Sequence, residues 1–345
     1  MISPELYDTM QLRFMKKGKE EDILISKTMR AILHALSYSN VEVEAARHLA
    51  DLKKLDVMRI FLKKLDAKIY NGDHEVPVRL YFPNEDAMKQ EVQKGLSYPI
   101  LLFFHGGGWV TDSVENYDRV CSRMAQDTGH IVISVEYRLA PEYRFPIGLE
   151  DCYAAARTLY LDLLKEDQDK ITIMGDSAGG NLAAAVCLLA RARGEFMPKR
   201  QILIYPALGN CYTEESPYES VHENGTDYLL TSERMENYLL LYENSKEDRQ
   251  NPYFSPLMEK DLGNMPDTLI LTAEFDPLRD EGEEYGKRLK EAGNYVEMHR
   301  IPNALHGYFA LGIRFFHVQE SFRHMNAFLE KREKQKSEER ESFLA

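Results

Sequence analysis

The sequence predicts an α/β fold: a mostly parallel central sheet with helices on both faces. Three observations predict it. From Pro99 onward, apolar β-branched runs alternate with helical patterns, which implies parallel strands joined by helical crossovers. One junction, Ile171-Thr-Ile-Met-Gly-Asp-Ser-Ala-Gly-Gly-Asn181, is a strand that breaks into a glycine-flanked serine and then an Ala/Leu-rich helix. Upstream, Asp66–Tyr70 and Val78–Phe82 alternate at period two about Asn71-Gly72-Asp73, a hairpin signal.

The elements follow in order. Residues 1–56 read as helices, with Ile25, Met29, Ile32, Leu33 and Leu36 at helical spacing, then Ala45, Ala46, Leu49 and Leu52. The hairpin supplies antiparallel edge strands. Further strands are expected at 99–104, 131–137, 171–174, 201–205, 268–273 and 296–301. Helices are expected near 116–127, 148–165, 178–193, 279–292 and 317–335. Between Pro206 and Thr268 the alternation stops for about sixty residues, too many for a simple crossover. Inside this insertion Met235, Tyr238, Leu239 and Tyr242 form a helical stripe after Thr231-Ser232, an N-cap signal. Insertions at the C-terminal edge of a parallel sheet lie over the binding crevice. The expected organisation is therefore a cap segment at 1–56, a core at 57–206 and 251–345, and a cap insertion at 207–250.

Composition narrows the function. The 345 residues are 44% apolar and 29% charged, as in a soluble globular protein. A formal net charge of −13 offers no basic surface for nucleic acid or anionic lipid. The start, Met1-Ile-Ser-Pro-Glu-Leu-Tyr-Asp8, lacks the basic and apolar regions of a signal peptide, and no run reaches transmembrane length. Cys121, Cys152, Cys187 and Cys211 are scattered without CxxC spacing, which reads as reduced thiols. The expected compartment is the cytoplasm and the expected partner a small molecule. A homodimer is compatible with the sequence, which does not itself fix an oligomeric state.

The chemistry centres on Gly175-Asp176-Ser177-Ala178-Gly179. A sharp turn here brings backbone so close that a Cβ at either glycine would clash. It lifts the Ser177 hydroxyl off the sheet, at a helix N-terminus where free N–H groups favour negative charge. This is the pattern of a nucleophile elbow. After the strand Pro99-Ile-Leu-Leu-Phe-Phe104 comes His105-Gly-Gly-Gly-Trp109. A triple glycine there frees backbone N–H groups to converge on one spot, as acyl transfer needs when charge develops on a carbonyl oxygen.

Ser177 needs an adjacent base. Past it lie His222, His299, His306, His317 and His324. His222 lies in the insertion, His299 in a strand, and His317 and His324 on a helix. Only His306 falls in the loop after the last strand, beside a glycine. The acid should leave the preceding strand, Thr268–Ala273, where Glu274 and Asp276 compete. Asp276 lies further into the loop and precedes Pro277, which keeps it out of the helix. Asp280 is expected to cap or brace that loop. In this arrangement His306 is the base, Asp276 fixes its tautomer, and no metal or organic cofactor is required. The oxyanion is expected at the N–H of Ala178 and two N–H groups of the glycine loop. His105 is expected to brace that loop, and Asp176 to anchor the loop or the elbow.

His105-Gly106-Gly107-Gly108, Tyr137-Arg-Leu-Ala-Pro-Glu142, Gly175–Gly179, Asp276-Pro277-Leu278-Arg279-Asp280 and His306-Gly307 occur in one order. Over roughly residues 60–330 the chain closely resembles the hormone-sensitive-lipase-like (GDXG) esterases of the α/β-hydrolase fold. The resemblance implies a helical cap from the N-terminus plus an insertion after the sixth strand, and hydrolysis of short-chain carboxylic esters. It favours Gly107 and Gly108 for the oxyanion pair, with Gly106 the remaining candidate. An amide or formamide hydrolase with the same triad, or a silent ligand-binding protein on the same fold, are the alternatives. One departure is Asp112, which stands where such proteins often have glycine.

Overall fold

Eight strands form one sheet in the order β1-β2-β4-β3-β5-β6-β7-β8. They are β1 (Lys64–Asn71), β2 (His74–Tyr81), β3 (Ile100–Phe104), β4 (Ile131–Val135), β5 (Ile171–Asp176), β6 (Arg200–Ile204), β7 (Asp267–Phe275) and β8 (Val296–Leu305). This is a computed structural model, and it describes residues 64–344 except 95–97, 165–167 and 314. The helices expected over 1–56 lie outside the described residues. The hairpin β1–β2 turns at Gly72 and joins β4 antiparallel; every later pairing is parallel.

The helices are α1 (Glu85–Lys94), α2 (Asp118–Thr128), α3 (Ile147–Thr158), α4 (Ala178–Arg193), α5 (Glu219–Asn224), α6 (Ser232–Tyr242), α7 (Arg279–Glu291), α8 (Tyr308–Leu311) and α9 (Phe316–Leu344). Central strands are apolar throughout because both faces are covered. In β3, Ile100, Leu102 and Phe104 face the core shared with α3 and α4, while Leu101 and Phe103 face the core shared with α2 and α9. Successive side chains point to opposite faces, so a single strand feeds two cores.

Three boundaries depart from the sequence reading. The helix expected to run to 165 ends at Thr158 and continues as one wider turn, Leu159–Leu163. The strand expected to end at 137 ends at Val135, where the chain leaves the sheet edge toward the glycine loop. The last strand runs past 301 to Leu305, because Leu305 pairs with Phe275 across an irregularity in β7. That pairing matters for the site: it sets residues 276 and 306 side by side at the C-terminal edge.

Between β6 and β7 the chain carries α5, α6 and two short 3-10 turns. Thr231 caps α6 by accepting the Arg234 N–H at 3.1 Å, as its position before the helix predicts. Met235, Leu239 and Tyr242 are buried against the main core. Tyr242 stacks on Trp109 at 4.7 Å between ring centroids, and Asn181 at the start of α4 donates to the carbonyls of Ala207 and Phe254, both at 2.8 Å. The insertion is thus tied to the glycine loop and to the helix that follows Ser177.

Candidate active site

Ser177 sits between β5 and α4 with φ 54° and ψ −120°, a left-handed conformation that a serine adopts only when its surroundings impose it. Its N–H donates to the Ile204 carbonyl at 2.9 Å, and its carbonyl accepts from Asn181 at 3.0 Å and Ala207 at 3.2 Å. The flanking glycines are required by space. A Cβ on Gly175 would run into the Gly179 carbonyl, and one on Gly179 into the Phe104 carbonyl. The elbow is therefore wedged between the ends of β3 and β6.

From this turn a line of hydrogen bonds runs outward. Ser177 Oγ lies 2.8 Å from His306 Nε2, and His306 Nδ1 lies 2.7 Å from Asp276 Oδ2. Asp276 is fully buried, and its other oxygen accepts the Leu278 N–H at 2.9 Å. A carboxylate can only accept, so Nδ1 carries the imidazole proton and Nε2 presents its lone pair to the serine hydroxyl. The Tyr205 ring lies 4.8 Å from the imidazole and forms one wall.

The other sequence candidates point elsewhere. Glu274 accepts the Asn303 N–H at 2.6 Å. His222 bonds the Ser216 carbonyl, and His299 stacks on His324. Asp280 pairs with Arg279 at 2.7 Å and accepts the Ser220 N–H of the insertion at 2.7 Å, a brace across the loop.

Three amides converge near the serine. Among the described residues no acceptor meets the N–H groups of Gly107, Gly108 and Ala178. Gly106 differs: its N–H donates to Asp176 Oδ1 at 2.9 Å and to the Tyr117 hydroxyl at 3.2 Å. Its amide is already engaged, which corrects its inclusion among the oxyanion donors and leaves Gly107 and Gly108.

Asp176 anchors the glycine loop to the elbow. Besides Gly106 it accepts the hydroxyls of Tyr117 at 2.9 Å and Tyr205 at 3.1 Å. Burial pushes its carboxyl up to about 6, against the pull of those two hydroxyls. His105 braces the same loop through Nδ1, 2.8 Å from the Gly106 carbonyl, and stacks on Tyr137 at 4.4 Å. The Tyr137 hydroxyl donates to the His105 carbonyl at 2.7 Å, so the segment after β4 packs behind the loop. Asp112 has φ 69°, which explains why glycine suits this position; aspartate is among the few residues that tolerate it. Its carboxylate accepts from Asn116 at 3.0 Å.

Comparisons with known proteins agree with this arrangement. A family model described as the alpha/beta hydrolase fold matches residues 101–310. The chain belongs to the α/β-hydrolase family. Within it the chain is of the hormone-sensitive-lipase-like type. It is 37% identical to an ethyl acetate hydrolase of Pseudomonas putida over 243 residues, 69% of this chain and 73% of that one. It is 33% identical to the carboxylic ester hydrolase LipN of Mycobacterium tuberculosis, over 85% of this chain and 72% of that one. A hyperthermophilic esterase from the archaeon Pyrobaculum calidifontis superposes with a TM-score of 0.75 at 35% identity, covering 88% of this chain and 97% of that one.

This α/β-hydrolase also holds site residues that sequence reasoning missed. Glu281 is fully buried behind Asp276 and accepts the Leu208 N–H at 2.7 Å and the Tyr212 hydroxyl at 2.9 Å, pinning the root of the insertion. Burial pushes it up to about 8. It directly follows the Asp276–Asp280 motif, so its position in sequence was a usable signal. Tyr117 and Tyr205 carried none, since each reaches Asp176 from a separate segment. Among the described residues no helix is long and apolar enough to cross a membrane.

Proposed function

We propose that this α/β-hydrolase is a serine carboxylesterase that hydrolyses short-chain carboxylic esters through Ser177, His306 and Asp276 and an acyl-enzyme intermediate. The observation that carries the reading is the unbroken Ser177–His306–Asp276 hydrogen-bond line facing three unengaged amides. His306 Nε2 takes the Ser177 proton as Oγ attacks the ester carbonyl. Charge on the carbonyl oxygen is held by the amides of Gly107, Gly108 and Ala178, the last at the N-terminus of α4. Asp276 keeps Nδ1 protonated and stabilises the imidazolium. The proton on Nε2 then goes to the leaving alcohol. In the second half His306 activates water against the acyl-enzyme, and Ser177 recovers its proton as the acid departs.

Relatives named as ester hydrolases support the reaction class, and one named for ethyl acetate supports small acyl and alcohol groups. The presence of His306 within hydrogen-bond reach of Ser177 argues against a silent binding protein. In this reading the 207–250 insertion is a cap, packed through Tyr242 and Tyr238 onto the glycine loop.

The test is a chain-length series of p-nitrophenyl esters beside the matching acetanilide, run with wild type and Ser177→Ala. The expected result is highest kcat/KM for acetyl to butyryl esters, weak anilide turnover, and almost none in the variant. Preference for the anilide or for long acyl chains would overturn the substrate assignment. Turnover surviving in Ser177→Ala would overturn the nucleophile.

A further inference from the structure

We infer that Thr111 is a positioning residue for the oxyanion hole and that Tyr238, from the insertion, holds the same peptide from its outer side. The inference rests on reading Gly107 and Gly108 as oxyanion donors.

The Gly107 carbonyl and the Gly108 N–H belong to one planar peptide unit and point in opposite directions. Fixing the carbonyl therefore aims the amide. Glycines do not fix themselves: Gly107 has φ 106° and Gly108 φ 62°, conformations only loosely held without a side chain. The Gly107 carbonyl instead takes three donors, the Val110 N–H at 3.1 Å, the Thr111 N–H at 2.9 Å and Thr111 Oγ1 at 3.0 Å. The first two belong to the loop's own turn and move with it. The Thr111 hydroxyl is the side-chain contribution, and Thr111 is buried.

The opposite side of the peptide is closed by the insertion. A Cβ on Gly108 would meet the Tyr238 ring at 2.6 Å, so that ring lies directly against the Gly108 backbone. The Thr111 hydroxyl is also the hydrogen-bonding neighbour of the Tyr238 phenol. Thr111 and Tyr238 thus clamp the Gly107–Gly108 peptide between the loop and α6. Seating of the insertion is thereby coupled to the aim of the Gly108 amide. Neither residue touches the reacting atoms, so each acts on the transition state through the glycine loop.

Thr111→Val keeps the shape and removes the hydroxyl; Thr111→Ser keeps the hydroxyl; Tyr238→Ala removes the ring. Each is measured for kcat and KM on p-nitrophenyl acetate, for inhibition by an aryl trifluoromethyl ketone, and for Ser177 labelling by a fluorophosphonate. The ketone adds to the serine and places an oxyanion in the hole, so its affinity reads the hole itself. Thr111→Val should lose about tenfold in kcat, part of what a whole oxyanion donor contributes, with KM nearly unchanged. Its ketone affinity should fall by a similar factor. Thr111→Ser should recover most of the loss, and Tyr238→Ala should lower kcat and ketone affinity together. Wild-type kcat in folded Thr111→Val, equal impairment of Thr111→Ser, or a loss confined to KM would overturn the role of Thr111. If Thr111→Val does not fold, Tyr238→Ala decides: unchanged kcat and ketone affinity there overturn the clamp. A wild-type protein that the ketone does not inhibit while Ser177 still labels would overturn the oxyanion reading beneath it.

Discussion

Asp276→Asn isolates the tautomer of His306. In the wild type Asp276 Oδ1 accepts the Leu278 N–H at 2.9 Å, and Oδ2 faces His306 Nδ1 at 2.7 Å. The Leu278 N–H is a fixed backbone donor, so an asparagine there turns its carbonyl oxygen to Leu278 and its NH₂ to the imidazole. Nδ1 must then accept, which moves the ring proton to Nε2 and points a donor at Ser177 Oγ. The base is lost while the geometry is kept. Such a swap in a Ser-His-Asp triad costs about ten-thousandfold in kcat, or about 5.5 kcal/mol of barrier. Glu274→Gln is the control, since Glu274 faces the Asn303 N–H and does not touch His306. The assay is kcat and KM on p-nitrophenyl acetate, with urea unfolding to show both variants folded. A loss below about tenfold in Asp276→Asn, or a larger loss in Glu274→Gln, would refute the reasoning.

The remaining predictions concern the shell around the triad. Glu281 has its folded value raised from the ordinary 4.5 to about 8, so the folded state holds a proton that the unfolded state releases. Its contribution is full below pH 4.5 and is lost as pH rises through 8, a span worth about 5 kcal/mol for this fully buried group. Urea unfolding of wild type against Glu281→Gln should show the wild type losing ground over that window; a constant difference would contradict it. Gly108→Ala should cut kcat by tenfold or more, roughly, since its Cβ meets the Tyr238 ring at 2.6 Å; wild-type kcat would contradict the close packing. Tyr205→Phe strips Phe309 N–H of its acceptor and Asp176 of one donor, all buried, and should cost about 1–3 kcal/mol in urea unfolding. No measurable destabilisation would mean that other groups take over both bonds.

Much of this fold was legible because its central strands are continuous apolar runs, and runs such as Ile100–Phe104 leave little choice of state. The end of β8 was not legible. Pro302 and Asn303, the latter at φ 58°, look like a strand's end; the strand persists because Phe275 supplies a partner for Leu305 from another segment. Ser177 was legible from local turn chemistry, and His306 and Asp276 from chain order. The choice among the three loop glycines was not, because it turns on Asp176, 70 residues away, taking the Gly106 amide. Tyr238 was legible as a member of a stripe, but its target was not. A helical period says which residues share a face and nothing about what that face meets.

The identity of the nucleophile is tested most directly by active-site titration. Wild-type protein is treated with a small fluorophosphonate, and intact mass, the labelled peptide and residual esterase activity are followed together. The expected result is one adduct per chain, on Ser177, with activity falling in step with labelling and no adduct on Ser177→Ala. Labelling at another residue, or turnover that persists after Ser177 is fully modified, would contradict the proposed catalytic site.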